Sequence, residues 1–472
     1  MGFGFFKKNT YADIIFMNGK IYTQDPELPW TDAVACKDGK VLVTGNYQAM
    51  GELEGEDTEV YDLKGKYMFP GFIDAHSSTV LATFKDTYLE LDPAWDLDTC
   101  LGEITNYCDD LYDGSTAFAY GFNESLLDDI SSPEELRAIA DEVETDKPVV
   151  IMGEGGHSIL LNTVAAEIVK TICEDEGVQQ PGMSFILDAL TVFDPEELEE
   201  NYNAEEERLT DKGYTAVFNS FSPSYFDNVY RSMLLERIGE SDSINQKFYG
   251  SYFINRPVNP KFVVAVLNAG RTFCSELEGL IHFNFLKISA GGEDNPAEFT
   301  AEYLNELCLA VADKGYSIHI DAIDKETLLK AYTAFNLVRS KGYSKVTLVI
   351  ASDIKLEKDE LEEFDYADTF VLTYGSDKLN NSVFSHSSSA HDAVDKLTTD
   401  AAAILGERDK MGSVEKGKNA DFTVFAEDIL HTDLKTFSRL HADMTVMGGE
   451  IVYDVDQENY DEMVNLLMNM QM

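Results

Sequence analysis

No stretch of this sequence approaches eighteen consecutive apolar residues, so it offers no candidate for a membrane-spanning helix. Its first residues, MGFGFFKKNTYADIIF, lack a long apolar segment followed by a small-residue cleavage site, and no secretory leader is expected. Basic residues are scarce: 36 Lys and Arg stand against 86 Asp and Glu, a formal charge of −50. Such a field repels phosphate backbones and anionic lipid, which argues against nucleic acid and membrane surfaces as partners. The acid excess is read as a solvated surface. Six cysteines (Cys36, Cys100, Cys108, Cys173, Cys274 and Cys308) are scattered without a C-x-x-C spacing. Neither a disulfide framework nor a structural zinc site is expected, and reduced thiols fit a cytoplasmic protein. Also missing are the phosphate-cradling pattern G-x-G-x-x-G, the full G-x-x-x-x-G-K-[S/T] (residues 412–418 read GSVEKGK, but Asn419 follows) and the serine elbow G-x-S-x-G.

What is present is ample apolar material. Of 472 residues, 44% are hydrophobic and 11% aromatic, enough for two or three domains or for one barrel with additions. Residues 11–67 read as short strands with turns. Ala12–Phe16 leads through Asn18-Gly19, a hairpin signal, to Lys20–Thr23, and Ala33–Cys36 leads through Asp38-Gly39 to Lys40–Gly45. The other end repeats that grammar in Ala420–Phe425, Ala442–Met447 and, after Gly448-Gly449, Glu450–Tyr453. Neither end has strands enough to bury both faces of a sheet, so the expectation is one composite β-sandwich from 1–67 and 412–472. The tail Asn459–Met472 reads as a short amphipathic helix.

The middle, 68–411, alternates strand and helix patterns, which points to a parallel α/β architecture. Candidate strands are Phe69–His76, Thr215–Asn219, Phe248–Ile254, Phe283–Ser289, Ser317–Ile320, Thr347–Ala351 and Phe370–Thr373. Pro296–Asp313 and Lys325–Ser340 read as helices between them. An eighth strand, expected near 380–387, would close a TIM-like (β/α)8 barrel. Residues 84–200 break the alternation and are expected to form an insertion covering the barrel mouth.

The first of these strands carries the sharpest signal. In Phe69-Pro70-Gly71-Phe72-Ile73-Asp74-Ala75-His76 an apolar run ends in an acid, a small residue and a histidine. A buried parallel strand delivers a ligand to the carboxyl end of a barrel in this way. The stretch resembles "PGFIDxHxH" of the amidohydrolase superfamily. Five other stretches extend the resemblance, toward the branch that includes N-substituted formamide deformylases. They are "KPVVIMGEGGHSILLNTV" at 147–164, "DKGYTAVFNS" at 211–220, "FLKISAGG" at 285–292, "SIHIDAID" at 317–324 and "TTDAAAILGERDKMGSVEKGKNADFTVF" at 398–425.

The resemblance implies a small-molecule hydrolase acting on non-peptide carbon–nitrogen bonds with a divalent metal, zinc for choice, bound by histidine, carboxylate and a bridging lysine. By that resemblance His76, Lys287 and His319 take metal-ligand places, with Lys287 and His319 as catalytic residues. His157, Asn162 and His386 are candidates for substrate contact. Ser78 stands in one histidine place. Ala351 and Ser352 stand where the pattern has glutamate and histidine. The metal site is thus degenerate. A mononuclear centre would need carboxylated Lys287 or His386 as a third donor, and a metal-free pocket is the alternative. The rival to an enzyme is a catalytically silent protein of this fold that binds a small molecule or a partner. A metal-free enzyme using Lys287 as base or nucleophile is a third reading. Homo-oligomerisation is left open.

Overall fold

The computed structural model describes residues 11–77, 79–84, 87–111, 114–127, 132–153, 158–176, 183–190, 195–220, 224–239, 244–254, 257–275, 277, 279–290, 299–322, 324–352, 354, 369–372 and 382–456. The chain divides into two units. One comprises Met1–Ser77, Glu206–Ser220 and Ile244–Met472, the other Ser78–Glu205 and Phe221–Ser243.

The first unit is mixed α/β and is organised around seven parallel strands. In chain order these are β1 (Phe72–Ser77), β2 (Tyr214–Asn219), β3 (Lys247–Ile254), β4 (Ile281–Ala290), β5 (Ser317–Ala322), β6 (Leu348–Ala351) and β7 (Thr369–Leu372), each paired with the next. Continuous burial along YTAVFN of β2 and LVIA of β6 is what a parallel strand covered on both faces requires. Helices Pro260–Cys274, Ala301–Asp313 and Lys325–Ser340 connect β3 to β6. Asn259, Thr300 and Asp324 cap them, each side chain accepting from a first-turn backbone N–H.

The sheet is strongly curled. β1 and β5 are four strands apart, which in a flat sheet is roughly 19 Å. Yet the rings of His76 on β1 and His319 on β5 lie 5.5 Å apart. Only a sheet bent into part of a barrel brings its first and fifth strands together. Ile73, Ala216, Phe218, Tyr249, Phe285 and Val349, from five of the strands, pack with Ala401 and Met411 in one apolar cluster.

Two smaller sheets belong to the same unit. A six-stranded sheet takes Lys20–Tyr22, Trp30–Thr31 and Tyr67–Pro70 from one end of the chain and Phe422–Phe425, Met444–Met447 and Glu450–Asp454 from the other. A four-stranded sheet holds Ile14–Met17, Ala33–Lys37, Lys40–Gly45 and Glu59–Asp62. Phe16, Val34 and Val41 of the second share a core with Met68, Phe422 and Val446 of the first. Asp38-Gly39 and Gly448-Gly449 turn hairpins with positive φ at both residues, as their sequences predict.

Asn18-Gly19 does not. Ile14–Met17 and Lys20–Tyr22 lie in different sheets, so this turn passes the chain between sheets. Asn18 takes φ 56°, and a Cβ on Gly19 would run into the Leu63 side chain, which would have to shift to admit it. The expected eighth strand is also corrected. In the described part of 380–387, Ser382–Ser385 form a helical turn, and Ser387 Oγ donates to the Val383 carbonyl at 2.7 Å. Serine hydroxyls that bond local backbone compete with a strand ladder.

The second unit has its own four-stranded sheet, Leu89–Glu90, Ala117–Phe122, Val149–Gly153 and Ile159–Leu161, with a core that includes Leu101, Ile104, Phe122 and Ile151. A helix in this unit spans Pro133–Ala140, capped by Ser132, whose side chain accepts from Glu135 N. Among the described residues no helix is long and apolar enough to cross a membrane. All six cysteines are free thiols. The amphipathic helix expected over 459–472 lies outside the described residues.

Candidate active site

Strand alternation puts Lys287 and Ser289 on one face of β4, and His319 and Asp321 on the matching face of β5. The register pairs Lys287 with His319 and Ser289 with Asp321. His76 arrives by another route. Val217 pairs with Asp74 and Asn219 with Ser77, so β1 carries one residue more than β2 over this span. Such a bulge re-aims side chains, and the His76 ring meets His319 inside the curl. The Asp74 carboxylate supports it by accepting from the His76 backbone N–H at 3.1 Å.

The result is a buried cluster of four polar side chains. Lys287 Nζ donates to Asp321 Oδ1 at 2.6 Å, and both Lys287 and His319 are fully buried. His319 Nε2 lies 3.5 Å from the same Asp321 oxygen, too far for a hydrogen bond. Its ring stacks on Phe218 with centroids 5.8 Å apart. Asp321 is the most open member, with 27% of its side chain exposed. Both ring nitrogens of His319 and Nδ1 of His76 are buried without a hydrogen-bond partner among the described residues. Buried polar atoms rarely go unpaired, and where they do a ligand or ion is a common reason.

Burial and the nearby Lys287 cation push His319 down to about 4 and His76 to about 3, so both are neutral at pH 7. Burial also lowers Lys287, against the pull of Asp321. Burial by itself would raise the Asp321 carboxyl, but Lys287 and the two histidines together hold it well below the usual carboxylate range.

His157 and Ser78 fall outside the described residues. Asn162 is buried and its amide is engaged by backbone. Oδ1 accepts from Val149 N at 3.0 Å and Ala165 N at 2.9 Å, and Nδ2 donates to the Lys147 carbonyl at 2.9 Å. It caps helix Thr163–Glu176 and ties it to the neighbouring strand. Asn162→Ala should therefore cost about 1–2 kcal/mol of stability. Denaturant melts check this, and an unchanged midpoint would remove Asn162 from the structural role. His386 is exposed, with its Nδ1 3.1 Å from Ser385 Oγ. Sequence reasoning missed Asp321. Its signal was the i, i+2 spacing from His319 on a strand.

The residues present do not fit the divalent metal that the resemblance implies. An ammonium already sits on Asp321. A carbamate on Lys287 would set two anions against each other at that spot. Ser352, in a histidine place, spends its hydroxyl on the Ala322 carbonyl at 2.7 Å and on Ile354 N at 3.2 Å. Among the described residues no three His, Cys, Asp or Glu side chains are gathered to hold a metal.

Comparison with known proteins gives four findings. The family model described as "Amidohydrolase family" matches residues 59–217 and 377–453. The exoenzymes regulatory protein AepA of Pectobacterium carotovorum subsp. carotovorum is 22% identical over 76% of this chain and 84% of its own length. N-substituted formamide deformylase of Arthrobacter pascens is 26% identical, over 33% of this chain and 29% of that protein. Among solved structures, an uncharacterized metal-dependent hydrolase from Pyrococcus horikoshii OT3 superposes with a TM-score of 0.58 at 17% identity. That match covers 89% of this chain and 99% of the other, and its likeness is one of fold.

Proposed function

The chain belongs to the amidohydrolase family, and on that premise we propose that it hydrolyses a non-peptide carbon–nitrogen bond of a small molecule at the Lys287–Asp321–His319–His76 cluster. The observation that carries this reading is a buried lysine–aspartate pair beside two neutral histidines with unpartnered nitrogens. Neutral His319 is able to take a proton from water. The Lys287 ammonium, held in place by Asp321, supplies positive charge for an oxygen that turns anionic in the transition state. The relative named as a formamide deformylase supports an amide or formamide substrate. On this reading the seven-stranded sheet is the described part of a (β/α)8 barrel spanning 68–411, and the sheets built from both chain ends are a composite β-sandwich.

The test is turnover of a panel of N-formyl and N-acyl amines by purified protein. Turnover should fall at least about a hundredfold in His319→Ala and in Lys287→Ala, since one acid–base group contributes about 10²–10⁴ in rate. His391→Ala, an exposed position beside Tyr22, should leave it unchanged. A catalytically silent binding protein is the second reading, favoured by Ser352 being committed to backbone. Small-molecule binding with no turnover across the panel would establish that reading instead.

A further inference from the structure

We propose that a cavity at the amino ends of β3 and β4 binds a small, multiply charged oxyanion, a phosphate or polycarboxylate, between Lys40, Lys247 and Lys410. The inference is independent of whether the Lys287–Asp321 cluster turns anything over. Lys287 follows Ile281, the first residue of β4, by six positions, roughly 20 Å along the strand, so the occupant is not the molecule acted on there.

Its basis is the charge of the lining. The cavity measures about 470 Å³, within the roughly 300–1,000 Å³ of small-molecule sites. Among the described residues its charged lining is Lys40, Lys247, Arg271 and Lys410, with no Asp or Glu. That inverts the balance of a chain with 86 acids and 36 bases. Part of the cause is local: residues 243–275, which supply β3 and the helix after it, contain no acid. Glu276 and Glu278, next in sequence, lie outside the described residues.

The backbone holds the three lysines together. Lys40 and Asn419 form an isolated antiparallel bridge, and Asn419 N donates to the Lys410 carbonyl at 2.7 Å. Two positions on, Asp421 receives Lys247 Nζ on both oxygens at 2.7 Å. An ammonium has three N–H donors, so each lysine keeps some in hand: Lys40 donates to Asn419 Oδ1, and Lys410 Nζ lies 2.8 Å from Glu407 Oε2. Lys247 lines the cavity although its side chain is only 9% exposed. A charged donor so poorly hydrated gains more from an anion than an exposed one does. Arg271 contributes charge alone, because its donors go to Asn284 Oδ1 at 3.2 Å and to the Lys314 and Gly315 carbonyls at 3.2 and 3.1 Å. The His282 ring, stacked on Tyr249 in the lining, registers the field: burial lowers it most, and Lys410 and Lys247 lower it further against the pull of Glu407. Among the described residues two carboxylates, Asp421 and Glu407, pair with these four cations, and a doubly charged anion balances the rest.

The test is calorimetric titration of the full-length protein in about 0.1 M sodium chloride, where the Debye length is about 10 Å. Pyrophosphate probes the phosphate source and citrate the carboxylate source. One or both should bind, one per chain, with Kd below about 1 mM. Lys40→Met with Lys410→Met should weaken the tighter probe at least about tenfold, since two charge-assisted hydrogen bonds go. Lys64→Met with Lys170→Met takes the same charge from exposed lysines that do not line the cavity, and should change affinity less than about twofold. Absence of binding by either probe at about 10 mM overturns the proposal. So does equal weakening by the two pairs, which would mean a general field, and so does a folded Lys40→Met, Lys410→Met protein that binds like its parent. Lys410→Met alone serves if the double variant does not fold, and wild-type binding decides if neither folds. A failed panel assay leaves these titrations unchanged, so this inference and the hydrolase reading fail separately.

Discussion

Asp421→Ala should lower the unfolding free energy by about 3–5 kcal/mol, the range for stripping one partner from a buried ion pair. The Asp421 carboxylate receives Lys247 Nζ on both oxygens at 2.7 Å, and Gly448 N at 2.9 Å. Both side chains are buried, at 9% and 5% exposure for lysine and aspartate. The pair joins the start of β3 to the strand and hairpin at 421–449. Alanine at 421 leaves an ammonium in a nearly dry place, which accounts for most of the loss. Lys247→Met combined with Asp421→Leu should therefore be less damaging than Asp421→Ala alone, although Gly448 N still loses its acceptor. Urea titration of the three proteins at pH 7 measures this. If the double variant is at least as unstable as Asp421→Ala, the stranded Lys247 ammonium is not the source of the loss.

The second large effect is on acid stability. His76 and His319 bind protons less readily in the folded protein than in the unfolded chain, where 6.5 is the ordinary value. The unfolded chain therefore takes up protons first as pH falls. Their influence on stability is flat above about 6.5 and turns destabilising below it, until the folded values near 4 and 3 are reached. Each costs about 1.4 kcal/mol per unit of pH within its window, so the two together remove roughly 4 kcal/mol between pH 7 and 5. Asp321 adds nothing there, because its carboxyl stays ionised in both states through that range. His76→Gln with His319→Gln should flatten the decline. His282, stacked on Tyr249 with rings 4.4 Å apart and also lowered by burial, leaves a residual slope. A double variant that loses stability as steeply as its parent between pH 7 and 5 would place the acid sensitivity elsewhere.

The seven strands were legible because a parallel strand covered on both faces must be apolar throughout. Thr215–Asn219 and Thr347–Ala351 read that way without further context. The hairpin at Asp38-Gly39 was legible because both its residues tolerate positive φ. The same logic misread Asn18-Gly19. Turn chemistry reports that the chain bends, not which partner each flanking strand then finds. Lys287 and His319 were reached through the family resemblance, and the register sets them side by side. Asp321 went unread because family patterns drew attention to the histidine, while only the two-residue period of a strand ties the acid to the same face. The Ser-rich stretch around His386 failed as a strand because hydroxyls closed local bonds that carry no long-range signal.

The pairing of Pro70 with Phe422 also has a consequence for synthesis. One edge of Tyr67–Pro70 meets Lys20–Tyr22 early, but the other faces residues about 350 positions later. At about 5–20 residues per second, a ribosome takes roughly 20–70 s to deliver that partner. Throughout this delay Met68 and Phe69, fully buried in the finished protein, belong to a strand with an open edge. The nascent chain has a period of exposure to mispairing whose length is set by translation speed. Slowing elongation within 72–421 should increase aggregation of this protein, while slowing it after residue 454 should not.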